Sequence, residues 1–399
     1  MSDHKSNKQL YIQISLFILT IITTTISGAE WISGKSLLFG EETVGWTEFM
    51  TGFTFSIPFL LILTVHEFGH YFTAQYHKVK VTLPYYIPLW LGFIGSPSIG
   101  TMGAFIKIKE RVDSRKKYFD IGIAGPLAGF VVAFFVIWYG FATLPSLDYI
   151  YQIHPEYEQW GENYAEHAYD EGSLVFVLGP NLLFSFFENY VVSDPKLIPH
   201  AYEMIHYPYL FAGYLALFFT ALNLLPIGQL DGGHILYGLI GPTKHRLFSK
   251  VFFLIFVYYA GLGIASPYQL SNWMMDEALY VGFLYLSLHH FSSEKRERLM
   301  YALGIFAAQL VTVYFFPLAE GYTGWLLFSF ILGRVMGIYH PPVLIDTPLN
   351  LKRKVLGWMA LVVFVLCFSP KPFDIVETQS KEDKSATPTI RSETNPSPY

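Results

Sequence analysis

The sequence predicts an all-α polytopic membrane protein of about nine transmembrane helices, with a short re-entrant or β-hairpin element after the second span. Three observations support this fold class. Of the 399 residues, 52% are hydrophobic and only 14% are charged, whereas a typical soluble domain has about 25% charged residues. Apolar stretches long enough to cross a bilayer core of roughly 30 Å recur from end to end. Lys and Arg are concentrated in alternate loops between these stretches.

The loops between the predicted spans differ in charge. With the N-terminus placed in the cytoplasm, the cytoplasmic loops and N-terminal tail hold 19 of the 26 Lys and Arg residues, and the opposite side holds 6. Short cytoplasmic loops of membrane proteins are enriched in these residues. The asymmetry therefore predicts a cytoplasmic N-terminus. The predicted spans lie near residues 9–27, 49–75, 119–144, 208–228, 251–267, 277–292, 299–317, 323–339 and 355–369.

One apolar stretch is unsuited to a straight helix. Residues 81–103 carry three prolines and four glycines, and proline interrupts helical hydrogen bonding. We therefore expect a re-entrant or interfacial element here. Its end, residues 102–109, fits a short strand that places Phe105, Lys107 and Lys109 on one face. An open strand edge could hold an extended peptide, so Phe105 is a candidate substrate contact.

Two hydrophilic regions interrupt the apolar pattern. Residues 145–207 contain ten Asp or Glu residues and a single Lys among many aromatic residues. This composition predicts an acidic extracytoplasmic loop or a small cap. Residues 370–399 are rich in Ser, Thr, Pro, Glu and Lys, which predicts a disordered tail.

The composition also excludes several kinds of partner and site. Cys367 is the single cysteine of the chain and lies in an apolar run, which excludes intramolecular disulfides and cysteine-based metal clusters. A bound metal must therefore use His, Asp or Glu. The formal net charge is -5 and the basic residues are confined to short loops, so no nucleic-acid partner is expected.

The residues that carry chemistry begin with a His-Glu-x-x-His sequence, His66 to His70, late in the second predicted span. On a helix, histidines four residues apart project from one face, so both imidazoles can bind one Zn²⁺ while Glu67 serves as general base. The composition predicts about 0.02 chance occurrences of this pattern in the chain. Three ionisable groups within five residues of a span are energetically costly and typical of a functional site.

A catalytic zinc site needs a third protein ligand and an open position for water. Asp231, at the cytoplasmic end of the fourth predicted span, is the best candidate. Pro226 and Gly228 should interrupt that helix, and the glycines at 232 and 233 would let the backbone approach the metal closely. His234 is a second candidate ligand, although a role in orienting the ligands is favoured for it.

With these residues the sequence resembles the site-2 protease family of intramembrane zinc metalloproteases. The resemblance rests on the His66–His70 motif and on the Asn-x-x-Pro-x-x-x-Leu-Asp-Gly pattern at 223–232. It is closest to the bacterial and plastid-type branch without an evident inserted PDZ, or peptide-binding, domain. Further similarity lies in Met-Gly-Ala-Phe at 102–105, in residues 119–129, in His-Pro-Pro at 340–342 and in Asp-Thr-Pro-Leu at 346–349.

The resemblance implies one Zn²⁺ per chain, with His66, His70 and Asp231 as metal ligands and Glu67 as the catalytic base. It also implies that Asn223 lies near the substrate or the oxyanion. The expected function is cleavage of transmembrane segments of other membrane proteins within the lipid bilayer. Regulated intramembrane proteolysis and the clearance of signal-peptide remnants both fit this expectation.

Other classes of function remain open at this stage. The main alternative is an ion-coupled membrane transporter that uses the intramembrane His, Glu and Asp cluster as a cation path. A zinc protease that acts on lipidated C-termini would need a downstream Glu ligand, and no convincing one is found. A scaffold with an inactive site is disfavoured by the intact motif. The segment Met1 to Lys8 is too short for an organelle transit peptide, so we expect a multi-pass protein of the bacterial cytoplasmic membrane.

The predicted organisation has six parts. They are an N-terminal span with its outer loop (1–48), the first part of the catalytic core (49–144), the extracytoplasmic acidic loop or cap (145–207), the second part of the core (208–246), accessory C-terminal spans (247–369) and the disordered tail (370–399).

Overall fold

The structure is a computed structural model that describes residues 2–167, 169, 174–268 and 273–377. This part of the chain is mostly helical. Its elements in chain order are α1 (Ser2–Ser33), α2 (Trp46–Tyr76), β1 (Tyr85–Leu89), β2 (Gly100–Phe105), α3 (Arg115–Ala142), α4 (Asp148–Ile153), β3 (Leu174–Leu178), α5 (Leu182–Tyr190), α6 (Pro208–Leu224), α7 (Asp231–Ile240), α8 (Pro242–Ala260), α9 (Trp273–Ser287), α10 (Lys295–Phe315), α11 (Gly324–Phe330), α12 (Leu351–Cys367) and β4 (Phe373–Glu377).

The length and hydropathy of the described helices indicate a membrane protein. Four of them are long and apolar enough to cross a bilayer, namely residues 7–33 of α1, all of α2, α3 and α10. Two more apolar helices, α6 and the segment Gly324–Met336, are shorter than the roughly 20 residues that a span perpendicular to the membrane requires. Each of the nine predicted spans overlaps a described helix, but their number stays a prediction.

Helix α2 is the centre of the bundle and packs against α1, α3 and α6. Aromatic side chains fill the contact between α2 and α6: the Phe55 ring lies 5.4 Å from the rings of both Phe59 and Phe211. On the α3 side, a Cβ atom at Gly69 would lie 2.6 Å from the carbonyl oxygen of Ala124. Only glycine allows the two backbones to approach so closely, and this contact brings α3 against the His-Glu-x-x-His turn.

Strands β1 and β2 form an antiparallel pair that extends along α1. Tyr85 lies opposite Phe105, and the register is irregular between Tyr86 and Pro88. The segment contacts α1 at two distant points: Gln13 donates to the carbonyl of Leu83, and Trp31 donates to the carbonyl of Ser98. These contacts are separated by about 27 Å of helix. Entry of this pair into the membrane as a re-entrant element stays a prediction.

The chain turns sharply between α6 and α7. Helix α6 ends at Leu224 and α7 begins at Asp231, because Pro226 lacks an N–H donor and Gly228 adopts φ 63°. The expectation that the glycines at 232 and 233 bring backbone close to a metal stays a prediction. A Cβ atom at Gly232 would lie 1.9 Å from the carbonyl oxygen of Leu224, so this glycine allows α7 to pack against the turn itself.

The acidic segment 145–207 contains short ordered elements at the end of the bundle where α1 ends. They are α4, a 3₁₀ segment at Pro155–Glu166, β3 and α5. We call residues 145–207 the cap. The rings of Tyr157 and Tyr164 stack 5.1 Å apart and contribute to a small apolar core of the cap.

The predicted disordered tail (370–399) is wrong in its first part. Phe373–Glu377 is a strand, β4, which pairs antiparallel with β3 of the cap. Apolar and β-branched residues favour such pairing, and the Phe373 ring stacks on Phe176 at 5.6 Å. The strand β4 was not predicted because its partner, β3, lies far away in the chain. Residues 378–399, the rest of the predicted tail, lie outside the described residues.

Candidate metal centre

His66 and His70 share one face of α2, as their four-residue spacing requires. Their Nε2 atoms are 3.0 Å apart, and each residue is only 7% exposed. They lie in the last third of α2, toward the helix end that leads to the basic segment 78–117. Two imidazole nitrogens therefore face the same point inside the helix bundle.

Asp231 completes a group of three side chains. Its Oδ2 atom lies 3.2 Å from Nε2 of His70 and 3.5 Å from Nε2 of His66. Ligand atoms around a tetrahedral zinc ion, at bond lengths of about 2.0–2.2 Å, are separated by roughly 3.3–3.6 Å. The three observed separations are close to these values, and two imidazoles with one carboxylate are a donor set that suits zinc. The residues present therefore fit a metal ion.

Helix α3 holds both histidines in place. The Nδ1 atom of His70 donates to the carbonyl oxygen of Ile121 at 2.7 Å, which leaves the Nε2 lone pair on the side of Asp231 and the candidate metal position. A Cβ atom at Gly125 would lie 2.1 Å from Nε2 of His70, and one at Gly129 would lie 3.0 Å from Cβ of His66. Glycine at these positions leaves the space that the two imidazoles occupy.

Glu67 lies beside this group and is 6% exposed. Its Oε1 atom is 3.9 Å from Nε2 of His66, and the backbone amide of Ile106, just after β2, donates toward its carboxylate. The metal-binding group and Glu67 border a cavity of about 270 Å³ that also contacts Phe105, Tyr118 and Gln229. The carboxylate thus stands between the predicted metal position and the end of β2.

The other predicted site residues border the same cavity. The side-chain amide of Asn223 lies 3.5 Å from Nε2 of His66, at the last turn of α6. Phe105 is 46% exposed and stacks on Tyr85 with ring centroids 5.6 Å apart. Both residues are therefore near the candidate metal position, and their predicted contacts with substrate stay predictions.

His234 is held mainly by a second histidine. Its Nδ1 atom shares a hydrogen bond of 2.8 Å with Nε2 of His340, and its ring stacks on Tyr118. Among the contacts of the described residues, His234 makes no hydrogen bond to His66, His70 or Asp231. The contact with His340 was not predicted, although the His-Pro-Pro pattern at 340–342 was a signal for it in the sequence.

An ion-pair network lies where α2 ends and α3 begins. Asp120 accepts two hydrogen bonds from the guanidinium of Arg353 on α12, at 2.6 and 2.9 Å. Its Oδ2 atom also lies 2.8 Å from Nε2 of His77, which follows α2. Asp120 comes one residue before Ile121, the carbonyl partner of His70. The network therefore joins three elements next to the metal-binding group.

Comparison with known proteins identifies relatives over about half of the chain. Rice "Probable zinc metalloprotease EGY1, chloroplastic" (Oryza sativa subsp. japonica) is 31% identical over 208 residues, which is 51% of this chain and 30% of the relative. The Arabidopsis thaliana protein of the same name is 30% identical over 212 residues, 52% of this chain and 34% of the relative. Arabidopsis "Probable zinc metallopeptidase EGY3, chloroplastic" is 26% identical over 201 residues, 48% of this chain and 30% of the relative.

The chain spans about a third of the length of these relatives. No solved structure gives a significant match. A family model of peptidase family M50, the family of the site-2 proteases, matches residues 54–266, a range that includes the three candidate metal ligands and Glu67. Because this match covers more than half of the chain and confirms the resemblance noted in the sequence, the chain belongs to peptidase family M50.

Proposed function

We propose that this protein is an intramembrane zinc metalloendopeptidase that cleaves transmembrane segments of other membrane proteins. The observation that carries the proposal is the convergence of His66, His70 and Asp231 beside Glu67. Both histidines lie in a helix that is long and apolar enough to cross a membrane. The relatives named as zinc metalloproteases support zinc as the metal, one ion per chain at this centre.

In this proposal, His66, His70 and Asp231 hold the zinc ion. When bound, zinc activates a water molecule and polarises the scissile carbonyl. Glu67 accepts the proton of the attacking water and returns it to the leaving amine. The amide of Asn223 donates a hydrogen bond to the oxygen on which negative charge develops. Burial of Glu67 keeps bulk water from competing for this proton.

The end of β2 suggests how substrate is held. Peptide bonds of a transmembrane helix are shielded, so a substrate must unwind locally before hydrolysis. Residues 104 to 106 border the cavity next to Glu67, and an extended segment placed against them gains backbone hydrogen bonds. The Phe105 side chain then contacts the unwound segment. This arrangement favours a membrane-protein substrate with a transmembrane helix over a soluble peptide.

The charge distribution supports a cytoplasmic N-terminus and cleavage near the cytoplasmic end of the substrate span. Basic residues that flank several helices meet at one end of the bundle, where Arg353 pairs with Asp120 and Arg115 pairs with Asp346. The candidate metal centre is nearer to this end of α2 than to the cap. The bacterial cytoplasmic membrane stays a prediction, since the relatives are named as chloroplastic.

The proposal is tested by Glu67→Gln in a cleavage assay with a single-span substrate in liposomes. We expect turnover to fall by about 10²- to 10⁴-fold while zinc stays bound, because Glu67 is not a metal ligand in the proposed site. Glu188→Gln, in the cap, is the matched control and should cleave like the wild type. Full turnover by Glu67→Gln would contradict the proposal. Cation flux across sealed vesicles without any cleavage would favour the transporter instead.

A further inference from the structure

A second group of metal-binding side chains lies in the cap, at the other end of α1 from the basic segments. His154 follows α4, Glu203 comes directly before the 3₁₀ segment Met204–His206, and His206 ends it. Glu203 and His206 are buried, at 2% and 6% exposure, whereas His154 is half-buried. The three residues connect two parts of the cap, and His206 contacts the last turn of α1.

Their ligand atoms form a nearly equilateral triangle. The Nε2 atoms of His154 and His206 are 3.4 Å apart. Oε2 of Glu203 lies 3.6 Å from the first nitrogen and 3.4 Å from the second. These separations exceed the 2.7–3.2 Å that is typical of N–H···O hydrogen bonds. They match the roughly 3.3–3.6 Å between ligand atoms around a tetrahedral zinc ion.

The second atom of each side chain already has a partner. Nδ1 of His206 donates to the carbonyl oxygen of Ile32 at 2.9 Å, and Oε1 of Glu203 accepts from the hydroxyls of Tyr157 and Tyr169. Nδ1 of His154 faces Oε1 of Glu156 at 3.4 Å. Such outer contacts orient metal ligands and set the histidine tautomer. They leave two Nε2 atoms and one carboxylate oxygen pointing at one place.

The lone pairs of the three ligand atoms face one another. With its Nδ1–H donated in a hydrogen bond to the carbonyl oxygen of Ile32, a neutral His206 turns the lone pair of Nε2 toward the carboxylate of Glu203, and the two repel each other. A proton on one of the three atoms relieves the repulsion only along its own N–H or O–H bond, whereas a metal ion among them is attracted to all three. We propose that His154, Glu203 and His206 bind a divalent transition-metal ion of the zinc class, which fastens the cap to the end of α1.

The test counts zinc in the full-length chain, purified in detergent through a tag without histidine. The wild type should hold two zinc ions per chain. His70→Ala should hold one, because only the candidate metal centre that contains His70 is lost. Adding Glu203→Gln to His70→Ala should remove the remaining ion. Adding His167→Ala instead should leave it, since this exposed cap histidine contacts the carbonyl of Asn163 and not the group.

Two results would overturn the proposal. One is a monodisperse His70→Ala protein without zinc after dialysis against Zn²⁺. The other is an unchanged zinc content when Glu203→Gln or His206→Ala is added to it. If these cap variants do not fold, Co²⁺ is loaded into His70→Ala with its cap intact. Visible absorption of a four-coordinate Co²⁺ ion is then expected, and its absence would equally overturn the cap site. Every variant in this test carries His70→Ala and therefore lacks the candidate metal centre, so the outcome does not depend on the proposed protease function.

Discussion

The Nε2 atom of His70 lies 3.2 Å from Oδ2 of Asp231, although the two residues belong to helices that are distant in the chain. Asp231 reaches this position because α6 stops at Leu224 and α7 starts again at Asp231. A continuous helix through residues 225–231 would carry this carboxylate past the histidines. The break after α6 is therefore as important to the candidate metal centre as the His-Glu-x-x-His turn.

Substitution of Asp231 by Ala should remove one zinc ion per chain. The variant loses the carboxylate that neutralises the ion and leaves two imidazoles, which bind zinc far more weakly. Zinc is measured by elemental analysis of protein that elutes like the wild type from a sizing column. Asp148→Ala, in the cap, is the control and should not change the zinc content. If His70→Ala loses zinc but Asp231→Ala keeps it, Asp231 is not a metal ligand. His234 is then the next candidate for the third ligand.

Gly125→Ala should disturb the metal centre without changing any ligand. The added Cβ atom would lie 2.1 Å from Nε2 of His70, so either the imidazole or α3 must move. We expect a loss of stability of about 1–3 kcal/mol and a zinc affinity lower by roughly 10- to 100-fold. Both are measured in detergent, by thermal unfolding and by competition with a zinc chelator.

Gly304→Ala is the matched control for this substitution, because nothing lies within 4 Å of a Cβ atom at this position in α10. It should leave zinc affinity unchanged and raise stability by about 0.4–1 kcal/mol. Equal zinc affinity and equal stability of Gly125→Ala and Gly304→Ala would show that the close contact between Gly125 and His70 does not support the metal centre.

Asp120→Asn should lower the melting temperature of the protein. The change breaks the paired hydrogen bonds with Arg353 and the contact with His77, and charged hydrogen bonds contribute about 1.5–3 kcal/mol each to stability where they are buried. Partial exposure of Arg353 reduces this value, so we expect a loss of about 1–2 kcal/mol. Lys117→Ala, which removes a partly exposed ion pair with Asp113, should cost under about 0.5 kcal/mol. A similar loss in both variants would argue against a special role for the Asp120 network.

Phe105→Ala should weaken substrate binding and leave zinc bound. If the ring contacts an unwound segment, its loss removes about 0.5–1.5 kcal/mol, which corresponds to a two- to tenfold rise in KM with little change in kcat. Phe93→Ala replaces an exposed aromatic residue that does not line the cavity and should have no effect on KM. Ile106→Pro should also impair cleavage, since it removes the amide that donates toward Glu67. An unchanged kcat/KM in both Phe105→Ala and Ile106→Pro would exclude this substrate contact.

The helices and the zinc-binding turn were predictable because their signals are local. Long apolar runs marked α2 and α3, and a four-residue spacing is enough to place His66 and His70 on one helix face. Strand β4 was not predictable in this way. Its partner β3 lies in the cap, and nothing near Phe373 in the sequence indicates that a second strand will meet it. The hydrogen bond of His234 with His340 also joins segments that lie far apart in the chain.

The family, the apolar helices and the chemistry of the candidate site follow from residue types at short spacing, and the amino-acid sequence contains them directly. Which groups meet depends on the packing of the helices. This packing brings the carboxylate of Asp231 to the two imidazoles, places the carbonyl of Ile121 behind His70 and gathers His154, Glu203 and His206 at the end of α1. Contacts between distant segments depend on how the helices pack, and packing is a property of the whole chain that no local pattern contains.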